Sequence, residues 1–138
     1  MKIAILGVGS IGGVILGSLA DSEAELVCVS RGVSHEFLER GLTLFRPEGL
    51  VEMIPRDRYS LFDGENGPLP EEVFHSCEVA IICGKAGSTS SLASIAEDLI
   101  SENGIAVSIQ NGLGHAEIIS SRVGKNRVMG GSTTHSAW

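Results

Sequence analysis

The stretch KIAILGVGSIGGVILGSLA, residues 2–20, decides the fold of this chain. Its first part, Lys2 to Leu6, is a near-continuous apolar run, which is typical of a strand buried on both faces. The glycine-rich motif Gly7-Val8-Gly9-Ser10-Ile11-Gly12 follows directly, and apolar residues then recur at helical spacing as far as Leu19. A strand, a tight turn and an amphipathic helix are therefore predicted in that order.

The motif matches GxGxxG in the context that this pattern requires, after a strand and at the start of a helix. Gly7 would make the tight turn, Gly9 would let the backbone approach a pyrophosphate, and Gly12 would let the helix pack closely on the strand. The free N–H groups and the positive dipole end of the helix complete an anion site. We therefore expect a dinucleotide to contact Gly7, Val8, Gly9, Ser10, Ile11 and Gly12. An ordinary glycine-rich turn is the alternative.

The rest of the chain alternates between strand and helix patterns, which predicts a mostly parallel sheet covered by helices. Further strands are expected at residues 25–30, 78–83, 105–109 and 127–131. Further helices are expected at 35–40, 88–100 and 116–121, with Asn103-Gly104 as the stop after the second. A hairpin is expected at 42–45 and 50–54, and a polar loop from 55 to 70. The fold class is thus α/β, a doubly wound sheet of the Rossmann type with helices on both faces, in one domain over residues 1–138.

The composition suits a single globular domain and argues against several classes of partner. The 138 residues are 43% hydrophobic and carry a formal net charge of -7, so a nucleic-acid partner, which needs a basic face, is not expected. No apolar run approaches the roughly 20 residues that span a bilayer, so no membrane partner is expected either. Cys28, Cys77 and Cys83 form no CxxC pair, and no pair of histidines has metal-ligand spacing. We expect reduced thiols, a cytoplasmic location and no metal site.

The end of the second expected strand indicates which dinucleotide binds. An NAD-preferring domain usually places Asp or Glu there, to accept a hydrogen bond from the ribose 2′-hydroxyl. This chain has Ser30-Arg31-Gly32 instead. The Arg31 guanidinium can pair with a 2′-phosphate through two parallel hydrogen bonds, and the absence of a carboxylate at this position removes repulsion. The pattern favours NADP(H), with Ser30 and Arg31 as binding residues. A surface arginine at the start of a loop is the alternative.

Two further segments follow expected strands, at the edge of the sheet where ligands bind. Lys85 is expected to face the cofactor, with a plain solvated lysine as the alternative. Asn111 and Gly112 lie where an amide could bind the nicotinamide or a substrate oxygen and where the backbone could stay close. A turn before a helix is the alternative there. His115 is expected to be structural or solvent-facing, and His135 is assigned no catalytic role.

These motifs together make the chain similar to the ketopantoate reductase family, the 2-dehydropantoate 2-reductases. The similar segments are, in order, KIAILGVGSIGGVILGSLA, Ser30-Arg31-Gly32, Gly84-Lys85-Ala86, SIQNGLGHAEII and GSTTHSA. They extend over nearly all of the chain, and the combination of QNGLG with STTH is much more specific than the glycine motif. The resemblance implies an enzyme that reduces a 2-oxo acid, ketopantoate, with NADPH to give pantoate, on the route to pantothenate and coenzyme A.

The resemblance also implies roles for individual residues. The glycines of the motif would hold the pyrophosphate, and Arg31 would hold the 2′-phosphate. Lys85 and Asn111 would lie by the nicotinamide end, with Asn111 also near the substrate. Thr133 would lie beside the same crevice.

The family has a second, all-helical domain, which supplies the catalytic lysine, a carboxylate and most substrate contacts, and no part of it is visible in these 138 residues. We therefore expect the chain to be the cofactor-binding half of the reductase, without turnover on its own and with Lys85 and Asn111 in supporting roles. Two alternatives stay open. One is a stand-alone module that binds or senses NADP(H), with self-association into a homo-oligomer to cover an exposed sheet edge. The other is a related dehydrogenase for a hydroxyacid or opine substrate.

Overall fold

The chain folds into a six-stranded sheet with helices on both faces and one additional hairpin. The structure is a computed structural model and describes residues 1–65, 68–110 and 114–131. Within these ranges, no helix has both the length and the apolar character needed to cross a bilayer. The strands are β1 (Lys2–Leu6), β2 (Glu25–Ser30), β3 (Leu42–Phe45), β4 (Val51–Ile54), β5 (Tyr59–Asp63), β6 (Cys77–Ile82), β7 (Ile100–Ser108) and β8 (Val128–Gly130). The helices are α1 (Ser10–Leu19), α2 (Gly32–Leu38), α3 (Thr89–Leu99) and α4 (His115–Val123).

The strand order of the sheet is β5-β2-β1-β6-β7-β8, and every neighbouring pair is parallel. When the two hairpin strands are left out and the others are counted along the chain, this order is 3-2-1-4-5-6, as in dinucleotide-binding Rossmann sheets. The strand order reverses between β1 and β6. A ligand crevice is expected at this switch point, outside the carboxyl ends of the strands.

Alternate residues of the sheet contribute to two separate apolar cores. One core lies between the sheet and helices α3 and α4, and it contains Leu6 and Leu99. The other lies between the sheet and α1, α2 and the hairpin, and it contains Ile5, Cys28 and Leu16. A sheet buried on both faces explains the near-continuous apolar sequences of β1 and β2. The expected fold class, a doubly wound α/β sheet of the Rossmann type, is confirmed.

The predicted hairpin is confirmed, with its second strand one residue shorter than expected. Strands β3 and β4 are antiparallel, with Leu42 opposite Ile54 and Phe45 opposite Val51. The hairpin packs on α1 beside Gly17, where any side chain would clash with the δ-carbon of Leu44. A side chain at this position would therefore require Leu44 to move from its place between the hairpin and the first helix.

The predicted polar loop from residue 55 to 70 is wrong for its first half. Residues Tyr59–Asp63 form β5, which extends the sheet by parallel pairing with β2 from Leu26↔Tyr59 to Ser30↔Asp63. The Tyr59 ring is buried, and its hydroxyl donates a hydrogen bond to the carbonyl of Leu38. An edge strand pairs with only one neighbour and needs fewer apolar residues. Its sequence pattern is therefore weaker than that of a central strand.

The boundary between α3 and β7 also differs from the prediction. The helix ends at Leu99, and Ile100 is already extended and paired with Cys77. Asn103-Gly104 is therefore not the helix stop but part of an irregular first half of β7, where the register with β6 shifts. A Cβ at Gly104 would lie 2.9 Å from the Cys77 carbonyl oxygen, so only glycine allows this close approach.

The remaining predicted elements exist with shifted ends. Helix α2 begins at Gly32 and ends at Leu38, earlier than the expected 35–40. Helix α4 covers His115–Val123, which is longer than the expected 116–121, and β8 is shorter than the expected 127–131.

The three cysteines are free thiols. Cys28 is fully buried in the core beneath α1. Burial, helped by the neighbouring Cys83 thiol and opposed by Arg56, raises the pKa of Cys28 to about 12. Burial likewise raises the pKa of Cys83 to about 12. Both groups are neutral at physiological pH, which suits apolar packing and not nucleophilic chemistry.

We expect the free energy of unfolding to fall as the pH rises from about 9 to about 11. A thiol ionises in the unfolded chain near its ordinary pKa but must stay protonated in the folded one, so the folded state binds more protons in this window. The expected slope is about -1.4 kcal/mol per pH unit for each such thiol. In Cys28→Ala this slope should become shallower by about that amount, as measured by urea unfolding in reducing buffer at several pH values. Equal slopes for the variant and the parent protein would contradict a buried, raised-pKa thiol at this position.

Candidate functional site

The glycine-rich turn after β1 lies against the loop after β6. Gly7 has a φ of +78°, and its N–H donates to the Val29 carbonyl at 2.9 Å. A Cβ at Gly7 would lie 2.7 Å from both the Cα and the nitrogen of Gly84. Positive φ and backbone contact both require glycine, as expected for the tight turn.

Helix α1 begins directly after this turn with its first N–H groups turned outward. Gly9 is the N-cap residue, and its carbonyl accepts from the Gly13 N–H at 2.8 Å. The first N–H groups of a helix have no carbonyl partners within it, and no side chain caps them in α1. A Cβ at Gly9 would meet nothing within 4 Å, so there is open space in front of the turn. This arrangement is suited to an anion that approaches the backbone closely.

Gly12 lies on the side of α1 that faces the sheet. A Cβ there would lie 3.0 Å from the Cys83 sulfur and 3.4 Å from the Gly7 carbonyl oxygen. The Cys83 thiol donates to the Leu6 carbonyl at 3.4 Å and is thereby held between β1 and the helix. The close helix-to-strand packing expected of this glycine is what the structure shows.

A cleft of about 290 Å³ opens at the carboxyl ends of β1, β2, β5 and β6. The glycine turn, Arg31 and residues of α3 all contribute to its lining. Its size is at the lower limit of small-molecule sites, which suits part of a dinucleotide. The lining residues are Gly7, Val8, Gly9, Val29, Ser30, Arg31, Ser34, Gly64, Gly84, Lys85, Ser88, Ser91, Leu92 and Ile95.

The Arg31 side chain makes hydrogen bonds to residues of two other segments beside the cleft. Its Nη2 donates to the Ser88 hydroxyl at 3.0 Å, and its Nη1 donates to the Glu65 carboxylate at 3.2 Å. Ser88 precedes α3, and Glu65 follows β5. The guanidinium is therefore oriented at the mouth of the cleft by two partners that are distant in sequence.

Ser30 is buried, unlike Arg31. Its hydroxyl lies 3.4 Å from Nδ1 of His35, and its carbonyl accepts from the Gly64 N–H at 2.9 Å. Ser30 thus fixes the end of β2 against α2 and against the segment after β5. The His35 ring that makes this contact is half-buried.

A buried polar network lies behind the Gly84-Lys85 loop. The Gln110 amide nitrogen donates to the Gly84 carbonyl at 2.7 Å and to the Thr89 hydroxyl at 2.9 Å, and it lies 3.4 Å from the Lys85 carbonyl. Thr89 in turn lies 2.9 Å from Nδ1 of His115. The Gln110 side chain therefore connects the loop after β6 with the start of α3, and the Thr89 side chain connects the start of α3 with the start of α4. His115 is buried and structural, not solvent-facing.

The cleft brings together most of the site residues that the sequence predicts. Gly7, Val8, Gly9, Ser30, Arg31 and Lys85 line it directly. Ser10, Ile11 and Gly12 form the first turn of α1 beside it. Asn111, Gly112 and Thr133 lie outside the described residues, as does His135.

The sequence did not predict several of the residues that line the cleft. They come from the carboxyl ends of β2, β5 and β6, from α2, and from α3 and the residue before it, namely Val29, Gly64, Gly84, Ser34, Ser88, Ser91, Leu92 and Ile95. The run Ser88-Thr89-Ser90-Ser91 was an available signal, because four small hydroxyl residues at a helix start leave room for a ligand. Across the three described segments, no group of three or more His, Cys, Asp or Glu side chains could hold a metal ion.

We expect Gly12→Ala to destabilise the domain by about 1–3 kcal/mol, because the new methyl group is overpacked against the Cys83 sulfur. Gly13→Ala is the matched control. Its methyl group would have its nearest neighbour at an ordinary 3.7 Å, and the substitution should be neutral or stabilise by up to about 1 kcal/mol through helix propensity. Urea unfolding measures both. Equal stability of the two variants would show that α1 does not need a glycine at this contact.

We expect Gln110→Ala to destabilise the domain by about 1–3 kcal/mol, because it leaves the Gly84 carbonyl and the Thr89 hydroxyl without this donor in a buried place. Asn126→Ala, which removes an exposed amide, should change stability by less than about 0.5 kcal/mol. Thermal and urea unfolding of the two variants make the comparison. A Gln110→Ala protein as stable as the parent would mean that the network does not hold the loop.

The fold of the chain is shared with solved reductases and dehydrogenases. A 2-dehydropantoate 2-reductase from Porphyromonas gingivalis superimposes with a TM-score of 0.76 and 21% sequence identity, over 96% of this chain and 46% of that one. A D-mandelate dehydrogenase with NADH and anilino(oxo)acetate superimposes with a TM-score of 0.81 and 20% identity, over 99% of this chain and 41% of that one. At these identities the similarity shows the fold alone.

Sequence relatives show the family. A 2-dehydropantoate 2-reductase from Pyrococcus horikoshii is 31% identical over 138 residues, and one from Halobacterium salinarum is 27% identical over 139 residues. Each alignment includes 99% of this chain but only 41% and 43% of the relative, so the chain spans less than half the length of the curated relatives it matches. The family model for ketopantoate reductase PanE/ApbA matches residues 3–138. The chain therefore belongs to the ketopantoate reductase PanE/ApbA family, of which it corresponds to the N-terminal, nucleotide-binding part.

Proposed function

We propose that this chain binds NADP(H) and serves as the cofactor-binding half of a reductase that converts ketopantoate to pantoate. One observation carries the choice of cofactor: Arg31, at the end of β2, lines the same cleft as the glycine turn. In a Rossmann site the end of this strand faces the adenosine ribose, where a guanidinium suits a 2′-phosphate and a carboxylate suits a 2′-hydroxyl.

The described residues fit the adenosine half of such a cofactor. The open space before Gly9 and the uncapped N–H groups of α1 suit the pyrophosphate. Arg31 suits the 2′-phosphate. The apolar side chains of Leu92 and Ile95 on the wall of α3 offer a surface for the adenine ring. Among the described lining residues, the only charged ones are the cations Arg31 and Lys85, which favours an anionic ligand.

The nicotinamide half is assigned to Lys85, Asn111, Gly112 and Thr133, and it stays a prediction. The cofactor, when bound, supplies the hydride that reduces the 2-oxo carbon. The proposed role of this chain is to bind the cofactor and to orient it. Lys85 lines the cleft on a loop whose backbone carbonyls lie close to the Gln110 amide, so the backbone from which its side chain extends is held in place.

The substrate is proposed from the relatives, whose names state 2-dehydropantoate. A dehydrogenase of the same fold is known with anilino(oxo)acetate, which is also a 2-oxo acid. By the family resemblance, the proton-donating lysine and most substrate contacts belong to a helical domain, so turnover is proposed for the complete reductase. The buried thiols of Cys28 and Cys77 suit a reducing compartment, and we propose the cytoplasm.

Titration of the chain with NADPH and, separately, with NADH by calorimetry tests the cofactor. We expect tighter binding of NADPH than of NADH. Arg31→Ala should weaken NADPH about 10- to 100-fold and NADH less than about 3-fold, since only NADPH has the charge-assisted hydrogen bonds to lose.

Arg122→Ala is the matched control for this titration. It removes an equally exposed arginine from the last turn of α4, far along the chain from the cleft residues, and should leave both affinities unchanged. Equal losses for NADPH and NADH in Arg31→Ala would contradict the assignment of the 2′-phosphate to this residue. Failure of the parent chain to bind either nucleotide would contradict the proposed function itself.

A further inference from the structure

The guanidinium that is assigned to the 2′-phosphate already has an anionic partner. Arg31 Nη1 lies 3.2 Å from Oε1 of Glu65, and the two side chains are 57% and 53% exposed. In solvent such an ion pair contributes little to stability. The position of this ion pair matters more than its energy, because the Glu65 carboxylate is paired with the cation that lies at the end of β2.

The main chain holds Glu65 at this place. The Glu65 N–H donates to the Asp63 carboxylate at 2.8 Å, and the Gly64 N–H donates to the Ser30 carbonyl at 2.9 Å. Gly64 also packs against the side chain of Val29, with 3.3 Å between that side chain and an added Cβ. The backbone of Glu65 is therefore held against the end of β2, next to Arg31.

We propose that Glu65 is a specificity-determining residue that reduces the preference of this domain for NADPH over NADH. The inference rests on the proposed function, since it takes Arg31 as the partner of the 2′-phosphate. A 2′-phosphate competes with the Glu65 carboxylate for the guanidinium and is repelled by it at short range. A 2′-hydroxyl does neither: it can donate a hydrogen bond to the carboxylate, as it does to the acidic residue of NAD-preferring sites.

Arg31 and Glu65 thus act in opposite directions at one position. With NADPH, the ion pair must open and the carboxylate must turn toward solvent. With NADH, the pair can stay closed, and Ser88 continues to hold the other nitrogen of the guanidinium at 3.0 Å. In the sequence, Arg31 occupies the position where NAD-preferring Rossmann domains have an acidic residue. In the fold, Glu65, which follows β5, brings a carboxylate next to that position.

Glu65→Gln tests the inference, because it removes the charge and keeps the size and a hydrogen-bond acceptor. The dissociation constant for NADPH should fall about three- to tenfold, and that for NADH should stay constant or rise up to about threefold. The NADPH gain should shrink at high salt, where charges at the surface are screened. The pair 2′,5′-ADP and 5′-AMP serves as a second probe set, which contains the 2′-phosphate difference without the nicotinamide.

Glu102→Gln is the charge-matched control, at an exposed position in the first half of β7, remote from the carboxyl ends of the strands. It should change neither the affinities nor their ratio. Unfolding midpoints confirm that both variants are folded, and Glu65→Ala provides a second variant with the charge removed. A ratio of NADPH to NADH affinity that stays within about 1.5-fold of the parent in Glu65→Gln and Glu65→Ala, with NADPH still bound, overturns the inference and leaves the proposed function intact. A parent chain that binds none of the four nucleotides overturns both.

Discussion

The contact between the backbones of Gly7 and Gly84 is the constraint on which the site depends. These glycines follow β1 and β6, the two strands between which the strand order reverses, and there is no room for a side chain at Gly7. Because the two loops touch, the N-terminus of α1 is brought to the switch point with its N–H groups exposed. The neighbouring hydrogen bonds, from Gly7 to Val29 and from Cys83 to Leu6, hold three adjacent strand ends at one level. The cleft is the space left above that level.

The central elements could be predicted from the sequence because their patterns have a single physical cause. A strand buried on both faces must be apolar throughout, and the turn after β1 must have glycines wherever backbone meets backbone or ligand. The hairpin was predictable from its turn residues, with Gly49 at a φ of +81°. Strand β5 was missed because it lacks such a pattern. Tyr59–Asp63 is a short edge strand, and its pairing with β2 depends on tertiary contacts that no local sequence pattern shows.

The misplaced end of α3 has a different physical origin. The helical spacing of apolar residues continues through Leu99 to Ile100, so the pattern does not distinguish the last residue of the helix from the first residue of the strand. In the fold, Ile100 leaves the helix and pairs with Cys77 without an intervening loop. Asn103-Gly104 has the composition of a helix stop but serves a close approach inside the irregular part of β7. The turn signal at Asn103-Gly104 was thus in the right region of the sequence, but it marks a close backbone approach within β7 and not the end of α3.

The site residues also divide into those whose role can be inferred from local sequence and those whose partners are distant along the chain. Arg31 could be found because its position after a strand has a chemical meaning, and Lys85 because it follows another strand at the same edge. The partners of Arg31 could not be found, since Ser88 and Glu65 are 57 and 34 residues away along the chain. Gln110 is a similar case. In the sequence it is one of the polar residues in QNGLG, whereas the fold gives it the separate task of holding the loop that carries Lys85.

Net charge is a poor guide to what this cleft binds. The chain has 17 acidic and 10 basic residues, and a formal net charge of -7 would suggest that a phosphorylated cofactor is repelled. At physiological ionic strength, however, charges further than about 8 Å from the ligand are largely screened. The local balance therefore decides, and among the described residues it includes two cations, one helix N-terminus and the Glu65 carboxylate beside Arg31. We therefore expect a change of one charge within this set to matter more for cofactor choice than several changes elsewhere on the acidic surface.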